Sequence, residues 1–398
     1  MRFGQSCGMK RLSILLLLAA LPLFVGTVCA QGSGEIPPAP PAAADEGPPP
    51  DRPRTCLVLS GGGARGAAHI GVLRVLEQLR VPIDCVVGTS MGAIIGGAWA
   101  AGISPDRIEE SLRNARWERV LSDDPDRPQR SVRNKELERR RFGGAEFGVR
   151  SGTAVLPTGA VAGQQLDLFL ASLYGPPTPN MRFDDLPIPF RALATDIETG
   201  QLIVIDRGSI SQAVRASMSV PGAFAPQEID GRLLVDGGLV RNLGVDVARA
   251  LGAKRVIAVN LGTTLSGRDA LNSLVGVTGQ MIAILTEQNV QVSVNQLGPN
   301  DVLISPELGD FSAVDFAGAV DIVPLGESAA RKLEPALAAF SMDAPQYAAW
   351  NAAKQSRRPV APTIEVIRID TAELRHVNPD VAQAVFSTAF RSGTADTA

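Results

Sequence analysis

Histidine is scarce in this sequence, with two copies, His69 and His376, among 398 residues. No cluster of histidine, cysteine and carboxylate residues has the spacing of metal ligands, so neither a metal nor another cofactor is expected. The sequence also lacks an excess of basic residues, because its formal net charge is −3. Nucleic-acid-binding proteins normally carry a strong basic excess, and the charge balance therefore argues against that class of protein.

Cysteine is scarce as well, with four copies in the whole chain. Cys7 and Cys29 lie in the N-terminal segment, whereas Cys56 and Cys85 each lie in an apolar run typical of a buried strand. Export would permit a disulfide between the second pair. Two cysteines on core strands are more often small buried side chains, so free thiols are the favoured interpretation and the pairing stays open.

Residues 1–30 have the pattern of a secretory signal peptide. Basic residues precede the apolar run LSILLLLAALPLFV (12–25), and the small-residue sequence VCA (28–30) follows it. The run is shorter than the roughly 20 residues that a membrane-spanning helix prefers. We therefore expect cleavage near Gln31 and an exported protein, either periplasmic, associated with the outer membrane or secreted. An uncleaved anchor is the alternative.

Composition divides the rest of the chain into three parts. Residues 31–54 are rich in proline, alanine and glycine, which predicts an extended linker. Residues 55–342 alternate short apolar strands with helices. This alternation predicts a single α/β domain with a mostly parallel central sheet and helices on both faces. Residues 343–398 predict a linker and a short, incomplete β–α tail.

Two stretches of the predicted domain allow more than one interpretation. The basic stretch 127–142 could contact anionic lipid, but a run of charge is usually only a solvated surface. The apolar stretch 270–288 predicts a helix. We expect that helix to pack its leucine, isoleucine and methionine side chains into the core, with a lid or membrane-facing helix as the alternative.

The sequence GTSMG (88–92) fits the G-x-S-x-G pattern of a nucleophile elbow. A buried strand precedes it and a helix of small residues follows it, which is the context that this motif requires. Gly88 and Gly92 allow the sharp turn, and Ser90 is the candidate nucleophile. The alternative role for Ser90 is a simple N-cap of the helix.

A serine nucleophile needs a base, and neither histidine is well placed to be one. His69 lies in the first helix, directly after a glycine-rich loop, and is expected to support that loop or to fill a partly buried helix position. His376 lies in the C-terminal tail. The order Ser90, Asp236, His376 nevertheless satisfies an α/β-hydrolase triad formally, so this arrangement is kept as an alternative.

Asp236 is the preferred candidate base. It ends the apolar strand in the sequence LLVDGG, where Gly237 and Gly238 let another part of the backbone approach closely. A carboxylate in a partly desolvated site has a raised proton affinity, which suits it to accept a proton from serine. The alternative role for Asp236 is that of a turn residue after a hairpin strand.

The sequence GGGARG (61–66) lies between the first strand and the first helix, and could bind a nucleotide phosphate or a transient oxyanion. No Lys–Ser/Thr pair follows it, as a P-loop would need. The dinucleotide fingerprint is formally met, but it leaves Ser90 and Asp236 unexplained. An oxyanion hole accounts for all three motifs together. Its candidate residues are Gly61, Gly62, Gly63, Ala64, Arg65 and Gly66. Arg65 is expected to brace the loop.

Together, these motifs resemble the patatin-like phospholipase family, in particular its exported bacterial members. GGGARG is similar to the family's oxyanion-hole loop, GTSMG to its nucleophile elbow, and DGG (236–238) to its catalytic aspartate motif. The resemblance covers about residues 55–342. It implies a Ser–Asp dyad of Ser90 and Asp236 instead of a triad, which agrees with the scarcity of histidine.

The expected function is an exported serine acyl hydrolase that acts on phospholipids or other lipid esters through an acyl-enzyme. The expected partners are the lipid ester and, transiently, a membrane surface, with no nucleic acid; a homodimer is left open. Two alternatives remain, a conventional Ser–Asp–His esterase and a non-catalytic lipid-binding module.

Overall fold

The computed structural model describes residues 52–122, 148–150, 153–155, 159–175, 180–263, 265, 267–272 and 274–357. The predicted signal peptide, most of the predicted linker, the basic stretch 127–142 and the predicted β–α tail with His376 lie outside these residues. The interpretations of those segments therefore stay predictions.

Twelve strands occur in the described part of the chain. They are β1 Thr55–Leu59, β2 Cys85–Thr89, β3 Gly148–Arg150, β4 Thr153–Val155, β5 Gly159–Val161, β6 Phe190–Asp196, β7 Leu202–Ile205, β8 Gly222–Phe224, β9 Gln227–Ile229, β10 Arg232–Asp236, β11 Arg255–Val259 and β12 Val302–Ile304. β3 pairs with β4, and β5 with β8, as two small separate sheets.

Eleven α-helices occur in the same residues. They are α1 Ala68–Gln78, α2 Met91–Ala100, α3 Pro105–Asn114, α4 Trp117–Val120, α5 Gln164–Tyr174, α6 Ile210–Ser217, α7 Val245–Ala250, α8 Leu274–Val294, α9 Val323–Lys332, α10 Glu334–Ala338 and α11 Ala344–Ser356. Short 3-10 helices cover Gly63–Ala67, Gly237–Leu239, Arg268–Leu271 and Ala319–Ile322.

The remaining eight strands form the main sheet in the order β12–β11–β1–β2–β6–β10–β9, with β7 paired to β6 as well. β12, β11, β1, β2 and β6 run parallel. The pairings of β6 with β7 and β10, and of β10 with β9, are antiparallel. The predicted mostly parallel sheet is confirmed.

Helices cover both faces of this sheet, as predicted. Successive side chains of a strand point to opposite faces. Leu57 and Leu59 of β1 therefore join one core with residues of α1, α2 and α3. Cys56 and Val58 join a second core with residues of α7 and with Val290 of α8.

The favoured interpretation of the two core cysteines as free thiols is wrong. Cys56 and Cys85 are directly opposite each other on the neighbouring strands β1 and β2, with their Cα atoms 4.6 Å apart, and they form a disulfide. That separation lies within the range that a disulfide requires. The pairing depends on strand register, which sequence spacing alone does not reveal.

The expectation that the helix of residues 270–288 packs its large apolar side chains into the core is also wrong. The helix exists as α8, but Met281, Ile284 and Leu285 are exposed, and Val290 is its buried apolar residue. Among the described residues, no helix has the length and apolar character needed to cross a membrane.

The structure also corrects the start of the predicted C-terminal linker. Residues 344–356 form α11, which begins with an N-cap in which Asp343 accepts a hydrogen bond from the Gln346 N–H. Lys354 of this helix is buried, and its ammonium group lies 4.5 Å from the centre of the Trp99 ring in α2. Ordered packing against α2 therefore continues beyond residue 342.

Candidate active site

Ser90 occupies a sharp turn between β2 and α2. Its backbone has φ 52° and ψ −123°, a conformation that a residue with a side chain adopts only under strain. The flanking glycines make the turn feasible. A Cβ on Gly88 would stand 2.5 Å from the Gly92 carbonyl oxygen, and a Cβ on Gly92 would overlap the Leu59 carbonyl oxygen. The geometry is that of a nucleophile elbow.

Ser217 holds the backbone of this elbow in position. The Ser90 N–H donates to Ser217 Oγ at 2.9 Å, and Ser217 Oγ in turn donates to the Leu193 carbonyl oxygen at 2.5 Å. Ser217 is fully buried at the end of α6. Because an unmade buried hydrogen bond is costly, this contact helps to stabilise the strained turn. No sequence motif marks Ser217 as part of the site.

Asp236 lies at the end of β10, and its side chain is close enough to that of Ser90 for the serine hydroxyl to affect the pKa of the carboxyl group. Asp236 Oδ1 also accepts a hydrogen bond from the Gly238 N–H at 2.7 Å. Burial raises the pKa of Asp236 to about 6, and the Gly238 N–H and the Ser90 hydroxyl oppose that rise. The two predicted catalytic side chains are therefore brought together, and the carboxylate has the proton affinity of a base.

The backbone on both sides of Asp236 is fixed by neighbouring strands and turns. The Asp236 N–H donates to the Ser219 carbonyl oxygen at 2.9 Å, and Thr195 Oγ1 donates to the Asp236 carbonyl oxygen at 3.0 Å. A Cβ on Gly237 would overlap the Leu193 carbonyl oxygen of β6. The close backbone approach predicted for the DGG motif is present.

The glycine loop begins at Gly61, one residue after the end of β1, and the amides of Gly61 and Ala64 already have partners. The Gly61 N–H donates to Asn242 Oδ1 at 2.9 Å, and the Ala64 N–H donates to the Ala313 carbonyl oxygen at 2.8 Å. Gly62 and Gly63 are only half-buried, and their N–H groups make no hydrogen bond within the described residues. Of the predicted oxyanion-hole residues, these two have amides available to a ligand.

The remaining residues of the loop have structural contacts. Arg65 donates to the carbonyl oxygens of Leu261, at 2.9 Å, and Gly262, at 3.3 Å, which is the bracing role expected for it. A Cβ on Gly66 would overlap the side chain of Met91, the first residue of α2. Gly66 thus lets the loop pack directly against the helix that carries the elbow.

His69 is fully buried in α1, and its Nε2 lies 2.8 Å from the Ser60 carbonyl oxygen. Burial lowers the pKa of His69 to about 4, although the hydrogen bond to Ser60 opposes this change. A neutral ring donates from Nε2 to that oxygen, directly before the glycine loop. His69 therefore has a structural role, as expected: it fills a fully buried position of α1 and contacts the residue before the loop.

A polar network links α8 to both the aspartate motif and the glycine loop. Asn289 Oδ1 accepts from the Asn242 N–H at 2.8 Å, and Asn289 Nδ2 donates to the Gly238 carbonyl oxygen at 2.8 Å. Thr286 Oγ1 donates to the same carbonyl oxygen at 3.1 Å. Asn242, Asn289 and Thr286 were not found from the sequence, because single polar residues in helices and turns carry no local signature.

This arrangement is suited to acyl transfer. It combines a strained serine, a carboxylate beside that serine, and a loop near the start of α1 in which the amides of Gly62 and Gly63 make no hydrogen bond to any described residue. Within the residues that the structure describes, no group of three or more histidine, cysteine or carboxylate side chains could hold a metal ion.

The family model of patatin-like phospholipase matches residues 57–249, which include Ser90, Asp236 and the whole glycine loop. These residues form a patatin-like phospholipase domain. An uncharacterised NTE family protein of Mycobacterium tuberculosis is 34% identical over 220 residues, 55% of this chain and 52% of that protein. The human patatin-like phospholipase domain-containing protein 6 is 35% identical over 209 residues, 52% of this chain and 13% of that protein.

The chain thus spans about half the length of the mycobacterial relative and a small fraction of the human one. Among solved structures, VipD from Legionella pneumophila is similar at 15% identity and a TM-score of 0.35, covering 71% of this chain and 67% of VipD. An identity and a TM-score this low support no conclusion about this chain beyond the fold described above.

Proposed function

We propose that this chain is a lipid acyl hydrolase in which Ser90 is the nucleophile and Asp236 is the general base. The observation that carries the proposal is that the Asp236 carboxyl group lies beside the Ser90 hydroxyl group, with Ser90 in a strained elbow and Asp236 buried. The family match supports a carboxylic ester substrate, since it is to phospholipases. Phospholipids and other lipid esters are the substrate class.

In the first half-reaction, Ser90 Oγ attacks the ester carbonyl carbon while its proton passes to Asp236. The π-electron pair of the carbonyl moves onto its oxygen, and the N–H groups of Gly62 and Gly63 donate to the resulting oxyanion. Collapse of this tetrahedral intermediate breaks the bond to the alcohol. The leaving alcohol takes the proton from Asp236, and the acyl group stays on Ser90.

In the second half-reaction, water attacks the acyl carbon and Asp236 accepts a proton from it. The same two amides stabilise the second oxyanion. Its collapse releases the carboxylic acid and returns the proton to Ser90. A base with a pKa near 6 suits both steps, because it is ionised at neutral pH and still accepts a proton from an activated nucleophile.

We further propose that the protein acts outside the cytoplasm, in the periplasm, at the outer membrane or after secretion. The signal-peptide pattern of residues 1–30 supports this, and so does the Cys56–Cys85 disulfide, since disulfides persist mainly in oxidising compartments. Transient contact with a membrane surface follows from a lipid substrate. A homodimer is left open.

Labelling with a fluorophosphonate probe tests the catalytic proposal. The full chain is expected to be labelled, Ser90→Ala not at all, and Asp236→Asn at a rate reduced by about a hundredfold or more, since general-base catalysis typically contributes 10²–10⁴-fold. Wild-type protein that takes up no label and hydrolyses no ester would contradict the enzyme proposal and favour a lipid-binding module.

His376→Ala separates the dyad from a conventional triad. Under the dyad proposal, this variant keeps near-normal labelling and turnover. Its inactivation, with normal folding, would favour the Ser90–Asp236–His376 alternative.

A further inference from the structure

Helix α8 exposes apolar side chains that a helix of a soluble domain normally buries. Five large ones are between 40% and 59% exposed: Val277, Met281, Ile284, Leu285 and Val292. At 100° per residue they share one side of the helix, and we name them the apolar face of α8. Residues 274–286 contain no charged residue.

The opposite side of α8 is bonded to the candidate active site. Thr286 and Asn289 donate to the Gly238 carbonyl oxygen, two residues after the base Asp236. Val290 and Ser293, on the same side, are buried. The helix therefore has one side fixed to the aspartate motif and the other turned outward.

A second exposed apolar position adjoins the glycine loop. Val314 is 80% exposed, and its neighbour Ala313 accepts the hydrogen bond from the Ala64 N–H. The backbone of Ala313 lies so close to Gly63 that a Cβ there would overlap its carbonyl oxygen. Exposed apolar groups thus adjoin both the aspartate motif and the oxyanion loop.

We propose that the apolar face of α8, together with Val314, binds a lipid surface at the boundary between its headgroups and its acyl chains. This binding places the candidate active site at the lipid surface. The proposal rests on the function proposed above. The uncharged stretch 274–286 suits that boundary, where burying a charge would be costly. A second copy of the chain on the same face would cover the surface beside the glycine loop, whose amides the substrate carbonyl has to reach under the proposed function.

Co-sedimentation of the full chain with phosphatidylcholine vesicles tests the docking surface. Wild-type protein is expected to bind, and the double variant Met281→Glu/Ile284→Glu to bind at least about tenfold more weakly, because two apolar side chains no longer leave water. Leu168→Glu is the matched control. Leu168 lies on α5 and is 59% exposed, as is Met281, so it tests whether any new surface acid weakens binding.

Hydrolysis of a soluble short-chain ester separates this proposal from the proposed function. The double variant is expected to keep wild-type turnover of that ester while losing hydrolysis of vesicle lipid. If the wild-type protein turns over no ester, the proposed function is refuted. Vesicle binding by the same protein still measures whether the docking surface binds lipid. The docking proposal is overturned if the wild-type protein does not bind vesicles, or if Leu168→Glu weakens vesicle binding as much as the double variant does. It is also overturned if the double variant converts a dimer to a monomer.

A different observation, the hydrogen bond from Gly61 to Asn242, carries a second inference. Asn242 is buried, and its Oδ1 accepts the N–H of the first residue of the glycine loop. A Cβ on Gly61 would stand 2.7 Å from that same oxygen. We infer that Asn242 is a positioning residue that holds the loop so that Gly62 and Gly63 face the reacting carbonyl, which also rests on the proposed function.

Kinetics of two substitutions at Asn242 test this role. Asn242→Ala leaves the buried Gly61 N–H without its acceptor, so kcat is expected to fall about ten- to a hundredfold with little change in KM. Asn242→Asp keeps an acceptor oxygen and is expected to recover part of kcat. It also adds a carboxylate near Asp236, because the two side chains border the same point. A Cβ built on Gly238 would lie 3.0 Å from Asp236 Oδ1 and 3.3 Å from Asn242 Oδ1.

That second carboxylate disfavours the ionised form of Asp236, so the rising limb of the pH profile is expected to move to higher pH in Asn242→Asp. A purely structural role would lower the melting temperature without moving this limb. Normal kcat in Asn242→Ala overturns the inference. The inference is also overturned if Asn242→Asp has a kcat as low as that of Asn242→Ala and a pH profile that has not shifted. Wild-type protein is measured in the same assay. If it hydrolyses the ester, either result counts against the role of Asn242 and not against the proposed function.

Discussion

Asp236 is an acid in a site that disfavours its charge. Burial is the larger influence on its pKa, and the Gly238 N–H and the Ser90 hydroxyl only partly offset it. The ionised form is the one that can accept a proton from Ser90. The protonation of this single group therefore governs both activity and stability as the pH changes.

The first prediction concerns the pH dependence of turnover. We expect kcat/KM for a soluble ester to rise with pH through an apparent pKa near 6, and to fall about tenfold per pH unit well below it. The measurement is a pH–rate profile of wild type and of His376→Ala. The limb should be the same in both, and a limb that disappears in His376→Ala would assign it to the histidine.

The second prediction concerns the stability of Asp236→Asn. The pKa of Asp236 is about 6 in the folded protein and 3.8 in its ordinary state, so between these pH values the folded state binds more protons than the unfolded chain. Wild-type stability therefore falls as the pH rises from about 4 to 6. At pH 8, Asp236→Asn is expected to exceed wild type by up to about 3 kcal/mol in free energy of unfolding.

Urea denaturation at pH 8 and at pH 4 checks this prediction, and the advantage of Asp236→Asn should disappear at the lower pH. Asp310→Asn, which removes an exposed carboxylate, is the control for the loss of one negative charge. A constant difference between Asp236→Asn and wild type at both pH values would show that ionisation of Asp236 is not its cause.

Residues with local signatures were predictable, and residues that act across long sequence separations were not. Ser90 and Asp236 could be found because strand, turn and glycines are adjacent in the sequence. Asn242 bonds a residue 181 positions away, and Ser217 one 127 positions away. Such contacts depend on the order of strands in the sheet, so no pattern of neighbouring residues indicates them.

At the scale of elements, the alternation of apolar strands with helices was enough to predict the sheet and its two covered faces. Helix α8 was misjudged for a physical reason. Its apolar residues surround the helix instead of forming one stripe, so the sequence could not say which of them face the core. The structure buries Val290 and leaves Met281 exposed.

The third prediction concerns the covalent link between β1 and β2. Replacing Cys56 and Cys85 with alanine is expected to cost about 2–4 kcal/mol in free energy of unfolding, because the bridge closes a chain segment with a sequence separation of 29 in the unfolded state. Urea denaturation of the double variant and wild type, with and without reductant, measures the cost. In denatured wild type that begins at Gln31, and so lacks Cys7 and Cys29, two reactive thiols without reductant would refute the bridge.

At the scale of the whole molecule, the sequence predicts that residues 1–30 are removed during export. The fourth prediction is that the protein isolated from a bacterial periplasm begins at Gln31. Mass spectrometry of the intact protein measures this, and the same sample reports the disulfide as a loss of two hydrogen atoms. A protein that retains residues 1–30 and stays with the inner membrane would favour the uncleaved anchor.

The strained turn at Ser90 and the buried charge of Asp236 also have an evolutionary consequence. Both features lower the stability of the folded chain, and both belong to the residues proposed to do the chemistry. Ser90→Gly would relieve the backbone strain, and Asp236→Asn would remove the charge. Substitutions that abolish activity at these two positions are therefore expected to raise the free energy of unfolding. Inactive homologues can thus arise by single substitutions and persist as stable proteins.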